Sequence, residues 1–397
     1  MSHIVFCWEL GLGSGHVLGF LPVAHELKMR GHEVTFIFKD ISRAEAMLGQ
    51  HDFRYLQAPL LLVKPAIKAP ILSYADILAR YAYLDQPHLQ SLVSAWRNLF
   101  KVLKPDLLIM DHAPTALLAA KGLGVPRALL GTGFFTPPQS NPIPSFRSWQ
   151  SVDEQALINS ERNVLSVINK VLEKLNNTEK LRQFSDLFQV EENFLCTFKE
   201  LDHYPSRGES QYWGPRFSLT EGSDPDWPMG KGKRVFVYMY MQYHGFETVI
   251  KSFNAFDISV IVYVPGISQQ LINRFQSAKV ALVASPINMQ KVRQECDICI
   301  CHAGHGTVSA MLLAGKPLVM FPMHAEQTIV ARNVEQMGAG LFVDMNTKNV
   351  NSKKPLKRLL QEQIFTEKAR EFANTYRDFS HEIQTQKISD CCELLTG

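Results

Sequence analysis

His302, Gly304, His305, Gly306 and Thr307 stand together in the run CHAGHGT, between the apolar segment ECDICI and the helix-like SAMLLAG. Glycines permit a tight turn, and a turn that feeds a helix N-terminus gathers backbone N–H groups suited to phosphate. The amides of His305, Gly306 and Thr307, the Thr307 hydroxyl and the helix dipole would favour a diphosphate, with His302 as a further donor. Beyond them, PMHAEQTIVARN puts Glu326 and Gln327 where a strand ends and a helix begins. A carboxylate that only accepts beside an amide that accepts and donates suits a polyhydroxyl ligand. The plainer alternative is a helix start with an acid in its first turn.

A second glycine turn, GLGSGH, runs from Gly11 to His16. It departs from the dinucleotide fingerprint G-x-G-x-x-G, because His16 occupies the place of the last glycine and Asp40 is a poor match for the ribose-binding acid. A histidine projecting from such a turn is placed to act as a general base. Asp111 closes the apolar run LLIM at the same expected sheet edge. A carboxylate bonded to one imidazole nitrogen fixes the tautomer and raises the basicity of the other. The alternative for Asp111 is a cap on the helix that begins near Pro114. Asp106 precedes its strand and belongs to the opposite edge.

These residues need a scaffold of alternating strands and helices, and the chain supplies it. HIVFCW, GLGSGH, a helical FLPVAHELKMRG and HEVTFIF form one βαβ unit. LLIM, a loop with Asp111 and His112, a helix and PRALLG repeat the pattern. After the Gly-, Pro- and Ser-rich stretch from 204 to 234, six further strand candidates appear: RVFVYMYM, ISVIVYVPG, VALVASP, CDICICHAG, KPLVMFP and AGLFVD. The spacing predicts an α/β protein with two Rossmann-like domains facing one another across a cleft. The expected boundaries are 1–207, a linker at 208–232, a second domain at 233–375 and a helical tail at 376–397. The apolar, aromatic span 60–84 reads as buried loops and helices or as a pocket wall. The proline-dense 134–149 reads as a long functional loop.

Composition narrows the function classes. With 397 residues, two domains are the prior, and 46 % hydrophobic with 20 % charged residues is ordinary for globular chains. A formal net charge of +3 without a Lys/Arg block argues against nucleic acid. No signal-peptide pattern opens the chain, and no stretch reaches the ~18 apolar residues of a membrane span. Seven cysteines, an odd number, fit reduced thiols and a cytoplasmic protein. Cys299 and Cys301 alternate within a strand, which explains their spacing better than a metal pair does.

HAGHGTVSAMLLAGKPLVMFPMHAEQTIVARNVEQMGAG resembles the donor-binding signature of nucleotide-sugar glycosyltransferases. That family includes the macrolide and antibiotic glycosyltransferases and the UDP-glycosyltransferases. GSGHVLGFLPVAHELKMRGHEVTFI is similar to their opening βαβ unit, and KPDLLIMD to their acid-bearing strand. The resemblance implies a GT-B fold with the acceptor in the N-terminal domain and the sugar nucleotide mainly in the C-terminal one. On the matching positions it implies His16 as base, Asp111 as its partner, His302 with Gly304–Thr307 on the diphosphate, and Glu326 and Gln327 on sugar hydroxyls. It implies an inverting hexosyl transfer from a UDP or dTDP sugar as co-substrate, without a cofactor or required metal, in natural-product or glycolipid biosynthesis in bacteria.

Three departures stand out. Gly19 replaces a usual proline. Met239, Tyr240 and Met241 stand where a small Gly/Ser/Thr loop is usual. VASPINMQKV lacks the base-stacking aromatic of many plant members. The sequence leaves open the acceptor, loose contact with a membrane surface and the oligomeric state. Two rival readings are a nucleotide-sugar 2-epimerase and a non-catalytic partner of an active transferase.

Overall fold

Among the described residues, twelve short strands, all in parallel pairings, order the chain. The computed structural model describes residues 1–11, 15–62, 67, 69–175, 180–217, 222–344, 346, 350 and 352–397. Leu12, Gly13 and Ser14 of the first glycine turn therefore lie outside the described residues, as do 63–66 and 68 of the apolar span. The described chain forms two units. The first comprises Met1–Phe198, Asp202–Gly214 and Ser380–Gly397, and the second Lys199–Leu201 and Pro215–Phe379.

The first unit holds β1 (His3–Trp8), β2 (Glu33–Phe38), β3 (Arg54–Gln57), β4 (Leu107–Asp111), β5 (Arg127–Gly131) and β6 (Glu192–Leu195). Their order is β3-β2-β1-β4-β5-β6. Helices cover a parallel sheet on both faces, so its central strands read as unbroken apolar runs. β1 and β4 do so, and Ile4, Phe6, Leu107 and Ile109 share a core with Val17, Phe20 and Leu27 of the helix Gly15–Met29. The helix Gln86–Leu103 buries Leu89, Val93, Trp96 and Phe100, one stripe of an amphipathic surface.

The tail expected at 376–397 supplies the helix His381–Thr396, which belongs to this first unit. Its Ile388 and Cys392 join the same core. Gln384 Nε2 donates to the Trp213 and Gly214 carbonyls at 2.7 and 2.6 Å. Arg30 meets Asp390 at 2.6 Å and Glu393 at 2.8 Å.

The second unit holds β7 (Lys233–Tyr238), β8 (Ile258–Tyr263), β9 (Val280–Val283), β10 (Ile298–Cys301), β11 (Leu318–Met320) and β12 (Gly340–Phe342). They follow the order β12-β11-β10-β7-β8-β9. Each of the six strand candidates read from this half has become one of these strands. The sheets are thus two Rossmann-like layers. In such folds ligands gather beyond the carboxyl ends of the strands.

Within 60–84, Tyr74, Ala75, Leu78, Ala79, Ala82 and Tyr83 are buried, whereas Leu60 and Leu62 are exposed. The 134–149 segment contains neither helix nor strand and anchors itself with buried Phe134, Phe135, Ile143 and Phe146.

Candidate active site

In the first unit, β1 and β4 are neighbours, with Trp8 directly beside Asp111. His16 enters in the first turn of the helix that follows β1. Its Nδ1 lies 2.8 Å from Asp111 Oδ2, and the two side chains are 9 % and 7 % exposed. A carboxylate only accepts, so Nδ1 carries a proton, and in the neutral ring Nε2 keeps its lone pair. Among the described residues Nε2 has no hydrogen-bond partner. The ring is held between Trp8, stacked at 5.1 Å and 18°, and Phe135 at 4.9 Å.

Two glycines make room for this pair. Gly11 has φ +91°, and a Cβ there would come 2.7 Å from His16 Nε2. A Cβ on Gly131, at the end of β5, would come 2.6 Å from Asp111 Oδ1. The Asp111 position is fixed by its strand and not by helix capping. The helix Pro114–Ala120 starts from Ala113 with no side-chain cap. The carboxylate that serves that helix is Glu9, whose Oε2 accepts from the Thr115 amide at 2.8 Å.

Sequence reasoning did not single out Glu9, His112 or Arg207. Burial pushes the Glu9 carboxyl up to about 7. His112 follows Asp111 in a left-handed conformation, φ +45°, with its ring stacked 4.2 Å from Phe135. Among the described residues, neither of its buried ring nitrogens reaches a partner in good hydrogen-bond geometry. Burial first, then the charges of His16 and Lys39, holds it well below the ordinary histidine range, against the Leu10 carbonyl. Arg207 is ion-paired to Asp202 while donating to the Thr136 and Gly133 carbonyls at 2.7 and 3.1 Å. That clamp fixes the turn carrying Phe135 against His16. Only the step from Asp111 to His112 was a local signal; the other contacts join distant parts of the chain.

In the second unit, β10 ends at Cys301 and runs through buried His302 and Ala303, at φ +60°, to Gly304. Gly304 precedes the helix His305–Leu313. Among the described residues, the amides of Gly306 and Thr307 have no acceptor, as first-turn donors of a helix require a partner from elsewhere. Glu326 and Gln327 lie in the first turn of the helix Ala325–Gln336, after the neighbouring β11. Gln327 Oε1 accepts from the Met323 amide at 2.8 Å, which orients the side chain.

His302 is arranged differently from the expectation that it donates to a diphosphate. Its Nδ1 lies 2.7 Å from the Phe321 carbonyl oxygen, and the Tyr240 amide donates to its Nε2 at 2.9 Å. A carbonyl cannot donate and an amide N–H cannot accept, so the ring is the neutral Nδ1–H tautomer with both nitrogens occupied. Burial holds it below the ordinary histidine range. No donor is left for a ligand in this arrangement. The partner is the bulky segment that replaces the usual small loop.

None of the seven cysteines is joined in a disulfide, and Cys299 and Cys301 are buried in β10. Among the described residues no cluster of three or more His, Cys, Asp or Glu side chains is arranged to hold a metal ion. No described helix is long and apolar enough to cross a membrane.

Residues 247–392 match the family model of the erythromycin biosynthesis protein CIII-like C-terminal domain. The chain is 31 % identical over 68 residues to UDP-sugar-dependent glycosyltransferase 52 of Dictyostelium discoideum, a match that spans 17 % of this chain and 4 % of that protein. Among solved structures, the glycotransferase of kitacinnamycin superposes with a TM-score of 0.73 at 18 % identity, covering 99 % of both chains. CalG4, the calicheamicin glycosyltransferase, gives 0.72 at 18 % identity, covering 99 % of this chain and 98 % of its own. SnogD from Streptomyces nogalater gives 0.64 at 19 % identity over 98 % and 99 %. The chain has the GT-B fold of these glycosyltransferases.

Proposed function

We propose that this GT-B chain is an inverting glycosyltransferase that moves a sugar from a nucleoside-diphosphate sugar to an acceptor hydroxyl. The observation that carries the proposal is the His16–Asp111 pair: Nδ1 held at 2.8 Å by a buried carboxylate, and Nε2 without a hydrogen-bond partner among the described residues. That is the arrangement of an oriented general base.

In the reaction, His16 Nε2 takes the acceptor proton as the acceptor oxygen bonds to the anomeric carbon. The bond from that carbon to the diphosphate oxygen breaks on the opposite face, so the configuration inverts. Asp111 stabilises the imidazolium that results. The amides of Gly306 and Thr307, the Thr307 hydroxyl and the dipole of the helix beginning at His305 meet the charge growing on the diphosphate, with Gly304 allowing the close approach. Glu326 and Gln327 take sugar hydroxyls. His302 supports the turn from beneath and is not itself a diphosphate donor. The likeness to enzymes named for kitacinnamycin and calicheamicin favours a small natural product over a lipid or glycan as acceptor. The donor is a UDP or dTDP sugar, the former being what the UDP-sugar-dependent relative of Dictyostelium discoideum is named for.

Calorimetric titration with UDP, dTDP, GDP and NAD tests the donor half of this reading. One nucleoside diphosphate should bind, NAD should not, and Thr307→Val should weaken the binding by about ten-fold, the size of a hydrogen bond to a charged group. Absence of nucleoside-diphosphate binding would overturn the reading.

A further inference from the structure

The bulky segment after β7 builds a row of rings along the carboxyl edge of the second sheet. Tyr263, at the end of β8, pairs in register with Tyr238 at the end of β7. Their rings stack at 5.0 Å and 24°. Tyr238 and Tyr240 follow at 5.5 Å with their hydroxyls 2.9 Å apart, and Tyr240 lies parallel to His302 at 5.5 Å and 5°. The row thus runs from β8 across β7 to β10. Tyr240 is fixed at its amide by His302, at its hydroxyl by Tyr238 and along its ring by the His302 imidazole. It is nevertheless 36 % exposed.

The sheet order says which end of a donor would meet this surface. β10, which leads into the Gly304–Thr307 turn, has β11 on one side and β7 then β8 on the other. Glu326 and Gln327 follow β11. A diphosphate on the turn, with its sugar toward Glu326 and Gln327, therefore sends its nucleoside toward β7 and β8. Strands are spaced by about 5 Å, so Tyr240 is one spacing from the turn and Tyr263 two. The stretch after β9, ASPINMQ at 284–290, has no aromatic side chain.

We propose that Tyr240 is the ring on which the base of the donor nucleotide stacks, supported from behind by His302 and laterally by Tyr238. The inference rests on the reading of this unit as a nucleotide-sugar site. It makes the departure from the small Gly/Ser/Thr loop a relocated base platform. A flat, rigid ring loses little conformational entropy when a base covers it, and any base offers a π-face.

The test is calorimetry on the full chain and its Tyr240→Ala and Tyr240→Phe variants, with UDP, dTDP and inorganic pyrophosphate as probes and thermal melts as a check on folding. Tyr240→Ala should weaken the preferred nucleotide by about ten-fold or more, the effect of removing one base–aromatic stack. Tyr240→Phe should bind within about two-fold of the original, and pyrophosphate should bind equally to all three. If Tyr240→Ala binds the nucleotide like the unmodified protein, the base lies elsewhere and the donor reading stands without this inference. If nucleotide and pyrophosphate weaken together, Tyr240 acts only on the turn and the stacking role is overturned. If the unmodified protein binds no nucleotide, the donor reading itself fails and takes the inference with it.

Discussion

The Tyr240 amide and the Phe321 carbonyl hold the two nitrogens of His302 at 2.9 and 2.7 Å, one from each neighbouring side of β10. This fixes the ring as a neutral tautomer and makes it a structural link between β7 and β11 at the turn. Its proton affinity is lowered on folding, chiefly by burial. The unfolded chain takes that proton near the ordinary 6.5, so the contribution to stability is present above 6.5 and is lost as pH falls through the lower folded value.

Nucleotide affinity should consequently not rise on acidification from about pH 7.5 to about pH 6. A histidine that donated to phosphate as a cation would strengthen binding across that interval. Calorimetric titration with UDP or dTDP at both values decides between the two.

Gly11→Ala should be severe for its size. The substitution forces a left-handed conformation at φ +91° on an L side chain and drives a methyl to 2.7 Å from His16 Nε2. A cost of about 1–2 kcal/mol in urea unfolding is expected from the backbone alone. Transfer should fall by at least about ten-fold because the base is displaced, while nucleotide affinity stays unchanged.

Glu9 gives a pH signature of opposite sign to that of His302. Burial raises its folded value from 4.5 to about 7. The stability it contributes is fully present below 4.5 and is lost as pH rises through about 7. Glu9→Gln keeps an acceptor for the Thr115 amide and does not titrate. Between pH 5 and 8 the unmodified protein should lose about 2 kcal/mol more than the variant, measured by urea midpoints at both values.

Much of the scaffold was legible because parallel strands buried on both faces leave uninterrupted apolar runs, as HIVFCW, LLIM and ICIC do. β3 was not read. RYLQ is a four-residue edge strand with mostly exposed side chains, so neither length nor alternation marks it. The last helix was legible as a helical tail, but its place in the first unit was not, because the core it shares with Leu27 and Phe6 joins residues more than three hundred positions apart. The partners His16 and Asp111 were legible from their places at the carboxyl ends of neighbouring strands. The occupation of His302 by Tyr240 was not, since it depends on how a replaced loop folds back over β10.

The most direct test of the central claim is product formation from candidate nucleotide sugars and a panel of natural-product hydroxyls, followed by mass spectrometry, for the unmodified protein and His16→Ala. The unmodified protein should yield a glycoside, and His16→Ala should transfer at least about a hundred-fold more slowly with nucleotide affinity retained. Equal transfer rates in the two proteins would contradict the assignment of His16 as the base.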